Sequence, residues 1–137
     1  MPELAAEDRA EIADVMLNYA AGVDDRNRDQ YSNCFDEHVE VFGFGDEPIR
    51  GRGAWVDYVF AALASYGATQ HLLVPPLVTL DGDRARVRTD VQAMHTLKSG
   101  DHERLVLWAT YFSEMERRAA GWQIVRHELV SRSIKQD

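Results

Sequence analysis

Cysteine is nearly absent from this chain: Cys34 stands alone, so no internal disulfide is possible and no oxidising compartment is needed. One thiol is also too few for a cysteine-based metal site. No stretch approaches the roughly 20 apolar residues of a membrane-spanning helix. The opening run MPELAAEDRAEIADV is acidic from the start and has no apolar segment of signal-peptide length. The cytoplasm is therefore the expected location. Basic residues are in deficit, 15 Lys and Arg against 23 Asp and Glu, for a formal net charge of -8. A surface this acidic repels phosphate backbones and anionic lipid heads, which argues against nucleic acid and membranes as partners. The chain also lacks repeats, low-complexity tracts and Gly-, Pro- or Ser-rich linkers, and its 137 residues suit one domain over 1–137. It has no phosphate loop, no dinucleotide-binding glycine fingerprint, no paired-histidine metalloprotease motif and no serine elbow. No cofactor and no metal are expected.

What is present can bury a core, with 45% hydrophobic residues. Ile12, Val15, Met16, Tyr19, Ala20 and Val23 recur at spacings of three and four, which predicts a first helix ending near Gly22–Asp25. Asn27 followed by Gln30 reads as a capping box, opening a short second helix through Tyr31, Cys34 and Phe35. Brief extended pieces are expected at Val39–Phe44 and Pro48–Arg50. Gly51-Arg52-Gly53 opens a third helix with Val56, Val59, Phe60 and Leu63 as its apolar stripe and Gly67 as its stop.

From Thr69 onward the period changes to two. A long strand is expected over Thr69–Leu80, disturbed by Pro75-Pro76, and Asp81-Gly82-Asp83 reads as a tight turn. In the next strand Ala85, Val87, Thr89, Val91, Ala93 and His95 share one face, and Arg84, Arg86, Arg88, Asp90 and Gln92 share the other. A turn at 98–101 and strands over Leu105–Met115 and Trp122–Ser133 complete the chain. Helices first and a meander of strands after them is an α+β order. The expected architecture is a cone: three helices packed on a strongly bent antiparallel or mixed sheet, enclosing an apolar pocket.

Ionisable residues that this parity turns inward are the candidates for chemistry. His95 continues the apolar face of its strand; His71 lies just inside the first long strand; Asp24 ends the first helix; His127 shares a face with Val125 and Leu129. Taken singly, each has a plainer reading. A lone histidine on an apolar face is more often a hydrogen-bonded core residue, and a helix-end Asp more often caps or meets solvent. Tyr19 is most simply core, Cys34 a small buried hydrophobe, and His38 and His102 exposed.

Together these residues resemble something more specific. The run Tyr19-Ala20-Ala21-Gly22-Val23-Asp24-Asp25-Arg26-Asn27, then Thr69-Gln70-His71 and an inward His95, is similar to the SnoaL-like branch of the nuclear-transport-factor-2-like superfamily, near its scytalone dehydratases and lindane dehydrochlorinases. The closing pattern from Tyr111-Phe112 through Glu116-Arg117-Arg118 to Gly121-Trp122 resembles the superfamily's last hairpin. The resemblance implies an Asp24–His71 pair with His71 as base, His95 as a second site histidine, and dimers or trimers formed across the sheet. It departs at Val23, where the dehydratases have Tyr, and at Tyr19, where the dehydrochlorinases have Lys, so neither substrate carries over.

The chemistry of such a pair is general. A carboxylate on one imidazole nitrogen fixes the tautomer, leaves the other nitrogen free and stabilises the imidazolium that forms. The expected function is a cofactor-independent dehydratase-like lyase or isomerase acting on a small hydrophobic, cyclic substrate. Asp24, His71, His95 and Tyr19 are its expected catalytic residues, and Phe42, Phe44, Phe60, Trp108 and His127 line its pocket. The alternative is a non-catalytic module using the same cup to hold a small ligand or a partner. A carboxylate-based isomerase reading ranks below both, because Asp90, the main mid-strand acid, falls on the Arg-rich face.

Overall fold

The computed structural model describes residues 2–98 and 103–137, and side chains from residue 5 onward. The expected 98–101 turn beyond Lys98, and His102, lie outside the described residues. Helix α1 (Pro2–Asp24) and the short α2 (Arg28–Ser32) lead into β1 (Phe35–Phe42) and β2 (Ile49–Arg50). Helix α3 (Arg52–Leu63) follows, and then β3 (Tyr66–Leu73), β4 (Leu77–Asp81), β5 (Arg84–Leu97), β6 (Arg104–Arg118) and β7 (Gly121–Gln136). The strands form one mixed sheet in the order β2-β1-β7-β6-β5-β3, with β4 also paired to β5. All neighbours are antiparallel except β1 and β7. Register irregularities interrupt β1, β3, β6 and β7. Such bulges bend and twist a sheet, and this one curves around the helices without closing.

The α1 stripe packs as its spacing predicts: Ile12, Met16, Tyr19, Ala20 and Val23 are buried. Each fully buried aliphatic side chain of this kind contributes about 1.5–3 kcal/mol relative to exposure. Strand β5 alternates as expected, with Ala85, Val87, Thr89, Val91 and Ala93 buried and their neighbours turned outward.

Three boundaries differ from the sequence reading. The second helix stops at Ser32, and Phe35 already opens β1. The Cys34 carbonyl accepts from the Ile124 N–H and Phe35 pairs with Ile124, so sheet pairing overrides the helical spacing. The capping box is half formed: the Asn27 side chain accepts from the Gln30 N–H, while the Gln30 amide reaches Asn18. Helix α3 ends at Leu63, and Gly67 belongs to β3. The long strand expected over Thr69–Leu80 is two, β3 and β4, both hydrogen-bonded to β5. Pro75 and Pro76 have no N–H for a ladder, so the chain leaves the sheet there and rejoins it.

One contact sets how α1 meets α2. Gly22 is buried, and a Cβ there would lie 2.8 Å from the Tyr31 nitrogen. Both are backbone positions that cannot yield locally. Gly22→Ala is expected to destabilise the protein by about 1–3 kcal/mol, read as a lower midpoint in urea denaturation, whereas Gly53→Ala, with open space around its Cβ, leaves the midpoint nearly unchanged.

Candidate active site

The site begins where α1 runs out. Asp24 is the last helical residue, and two positions later Arg26 takes a φ of 56°, turning the chain back toward the sheet. The Arg26 guanidinium then bridges the two layers. Its Nη1 donates to the Val23 carbonyl at 2.7 Å and to Thr69 Oγ1 at 2.9 Å, and its Nη2 donates to the Gly67 carbonyl at 2.6 Å. This clamp holds the end of α1 against β3.

The clamp presents Asp24 to β3. Thr69 Oγ1 donates to Asp24 Oδ1 at 3.0 Å, the His71 N–H donates to Oδ2 at 2.8 Å, and His71 Nδ1 lies 2.8 Å from Oδ1. The Asp24 and His71 side chains are 18% and 9% exposed, so the pair is largely shielded. An ionised carboxylate only accepts, so His71 Nδ1 carries a proton, and in the neutral ring Nε2 is the nitrogen with the bare lone pair. Burial alone raises the Asp24 pKa; the hydrogen bonds from the His71 ring and backbone, and from Thr69, outweigh it and hold the carboxyl below its usual range.

His71 borders a cavity of about 130 Å³ between the helices and the curved sheet, with Tyr19, Tyr31, Trp55, His95 and Tyr111 also in its wall. The rings of His71 and His95 are 5.7 Å apart, and Tyr66 packs 4.8 Å from His95. Burial first, and then the neighbouring His71, pushes the His95 pKa down. His95 Nδ1 makes a long 3.4 Å contact with the Leu105 carbonyl, which can only accept, so the Nε2 of neutral His95 is unprotonated.

Of the residues singled out in the sequence, Asp24, His71, His95 and Tyr19 meet around this cavity, and Phe44 lines it. Others stand elsewhere. Phe42 faces outward under the Arg126 guanidinium, 4.3 Å away, because Gly43, with a φ of 96°, ends β1 and reverses the parity before Phe44. Trp108 is also outside: it pairs with Gln92 on the outer face, donates to the Gln92 side chain at 3.2 Å and is 36% exposed. Phe60 sits behind the wall, with its ring 5.9 Å from that of Tyr31 and the Arg28 guanidinium on its other side. His127 is fully buried below the cavity floor, bonded to Tyr19 and Ser113, and does not line the pocket. Asp90 is on the outer face, accepting from Thr110 and Arg88. Cys34 is buried, and burial pushes its thiol up to about 12, which leaves it inert.

Sequence reasoning gave no role to Tyr31, Trp55, Tyr111, Ser113 or Arg26. Tyr111 and Ser113 were detectable in principle, since both follow Ala109 on the buried parity of β6. Trp55 lay off the predicted α3 stripe and yet is buried. Among the described residues no group of three or more His, Cys, Asp or Glu is arranged to hold a metal ion. Among the described residues no helix is long and apolar enough to cross a membrane.

The buried groups make stability pH-dependent. Desolvation lowers the His127 pKa from 6.5 to about 3, so between those values the unfolded chain binds a proton that the native state refuses. Stability therefore falls on acidification through this window, by about 1.4 kcal/mol per pH unit for one such group. The Asp24 contribution is complete above 3.8 and is lost as pH falls through its lowered folded value. Thermal melting followed from pH 7 to 4.5 is expected to show a steep loss for the wild type. The slope should be shallower for His127→Gln, which keeps hydrogen-bonding groups and removes the titrating ring.

Comparison with known proteins places this arrangement. A structure of the Kfla4162 protein from Kribbella flavida is 26% identical over 96% of this chain and 95% of its own, with a TM-score of 0.89. A candidate scytalone dehydratase from Novosphingobium aromaticivorans is 20% identical over 98% and 91%, with a TM-score of 0.90. The hexachlorocyclohexane dehydrochlorinase LinA-type3 from Novosphingobium barchaimii is 21% identical over 98% and 92%, with a TM-score of 0.85. No curated protein sequence matches. The model of the SnoaL-like domain family matches residues 4–128. With that match over most of its length, and with the curved mixed sheet and three-helix cover just described, the chain belongs to the SnoaL-like domain family.

Proposed function

We propose that this protein is a cofactor-independent lyase or isomerase in which His71 removes a proton from carbon of a small cyclic substrate. The observation that carries the reading is the 2.8 Å contact between Asp24 Oδ1 and His71 Nδ1 at the edge of an apolar cavity. A binding module has no need of a carboxylate-oriented imidazole in the wall of its cavity. Two similar structures carry the names dehydratase and dehydrochlorinase, both eliminations, and this supports elimination ahead of isomerisation.

The residues divide the work. Asp24 holds the tautomer and stabilises the imidazolium as His71 takes the proton; positioned proton transfer of this kind gives about 10²–10⁴-fold. In a dehydration, the C–H electron pair becomes the new double bond and the leaving hydroxyl departs with a second proton. Tyr19 is the better donor for that proton or for polarising a carbonyl. His95, neutral and with Nε2 unprotonated, acts as an acceptor that orients a substrate hydroxyl. The cavity, at about 130 Å³, resembles in size an engineered apolar cavity of about 150 Å³ that holds benzene. That supports a substrate built on one ring.

His71→Ala and Asp24→Asn are each expected to lower kcat by at least about a hundredfold, with the fold intact by circular dichroism, on a panel of hydroxylated cyclic ketones. Turnover near wild type in either variant would rule out the pair as base. Self-association belongs to the same reading: Trp108 and Phe112 stand exposed on the outer sheet face, and sedimentation velocity is expected to show a dimer or trimer.

A further inference from the structure

Below the Asp24–His71 pair lies a second set of polar groups that proton abstraction does not use. Tyr19, Tyr31 and Tyr111 are all buried and all contribute to the cavity wall. Their rings converge, with centroids 5.0 Å apart for Tyr19 and Tyr31 and 5.1 Å for Tyr19 and Tyr111. The Tyr31 and Tyr111 side chains are the phenol neighbours that act on the Tyr19 hydroxyl electrostatically. Burial first, and then the neighbouring phenols, raises the Tyr19 pKa well above its ordinary value, so the group remains a protonated donor. The Tyr19 hydroxyl lies 2.9 Å from His127 Nε2, and His127 Nδ1 lies 2.9 Å from Ser113 Oγ. Ser113 and His127 face each other directly in the β6–β7 register.

Proton accounting gives this chain a direction. His127 is neutral, so one ring nitrogen donates and the other accepts. If Nδ1 held the proton, it would donate to Ser113, whose own proton would then have no acceptor. Among the described residues His127 is the one hydrogen-bond partner of that hydroxyl. Tyr19 would also surrender its proton to Nε2. If Nε2 holds the proton, the surplus donor passes from enclosed Ser113 to the phenols, which line the cavity where a ligand can accept it. Ser113 donates to Nδ1, Nε2–H donates to the Tyr19 oxygen, and the Tyr19 O–H is free for its phenol neighbours and the cavity. A buried donor left unpaired is costly, so the second arrangement prevails. Trp55 Nε1–H, buried in the same wall, makes no hydrogen bond within 3.5 Å among the described residues and interacts with the Tyr31 hydroxyl of that wall.

We propose that Ser113 and His127 are positioning residues that turn the phenols of the cavity floor into donors for one ligand oxygen, so that the site takes a small ring compound bearing a carbonyl, or the enolate derived from it. The substrate class rests on the general-base reading of this site; the donor floor can be tested without turnover. A purely halogenated ring has no oxygen to accept these bonds, so the floor favours a ketone over such a substrate.

The probe is a series of fluorinated phenols of graded acidity, whose phenolates mimic an enolate on a ring that fits the cavity. Ultraviolet spectra distinguish bound phenolate from phenol. Wild type is expected to bind the more acidic phenols as phenolates. Ser113→Ala and His127→Phe should weaken that binding by at least about tenfold. His127→Gln should recover most of it, because its amide can accept from Ser113 and donate to Tyr19. Asp24→Asn and His71→Ala should keep phenolate binding whatever they do to turnover, so the floor and the base can fail separately. In the ¹⁵N spectrum of the wild type, His127 should show a protonated Nε2 and a bare Nδ1. An Nδ1–H signature, or unchanged phenolate affinity in folded Ser113→Ala, would overturn the proposal, and the wild-type spectrum decides the matter if His127→Phe does not fold.

Discussion

The Asp24 carboxylate joins the two layers of this protein at the point where chemistry is placed. It sits at the end of a helix and accepts from a ring, a backbone amide and a hydroxyl, all on β3. Charge-assisted hydrogen bonds of this kind are shorter and stronger than neutral ones. Burying a carboxylate is costly unless such bonds replace its water. The same three bonds therefore make the burial tolerable, fix the angle of α1 over the sheet and choose the His71 tautomer. Arg26 supports them from behind by tying the Val23 and Gly67 carbonyls and the Thr69 hydroxyl together.

Around this link the cavity is divided by polarity. Apolar side chains such as Phe44, Leu107 and Leu129 form much of its wall, which lowers the local dielectric and sharpens each polar contact. His71 and His95 stand close enough that a proton on one disfavours a proton on the other. Three phenols form the floor, with the His127 imidazole beneath them, and burial keeps all four neutral. The cavity wall thus carries two imidazoles, His71 and His95, together with the three phenols, and the Asp24 carboxylate stands behind His71.

Much of this was legible in the chain. The α1 stripe, the β5 alternation and the order of helices before strands define an α+β layer pair from period alone. Asp24, His71 and His95 were legible because a helix end and two inward strand positions put them there, and because their run resembles a known family. Local features misled where longer-range pairing prevailed. Phe35 is a strand residue because Ile124 is its neighbour, and nothing nearby in sequence says so. Phe42 and Phe44 alternate as if on one face, yet the backbone reversal at Gly43 separates them. Trp108 was assigned to the pocket, and its Gln92 partner holds it on the outer face.

The sequence by itself determined the periods, the breaks at Pro75-Pro76 and Asp81-Gly82-Asp83, and the presence of a carboxylate and two histidines at inward positions, since these follow from side-chain parity and local backbone chemistry. Only the tertiary structure decided that Asp24 meets His71, that Tyr31 of α2 and Tyr111 of β6 join Tyr19, and that Ser113 faces His127. Those contacts join residues 47, 108 and 14 positions apart for Asp24–His71, Tyr19–His127 and Ser113–His127. Their geometry depends on sheet register and curvature, which are properties of the assembled strands and are not carried by any one segment.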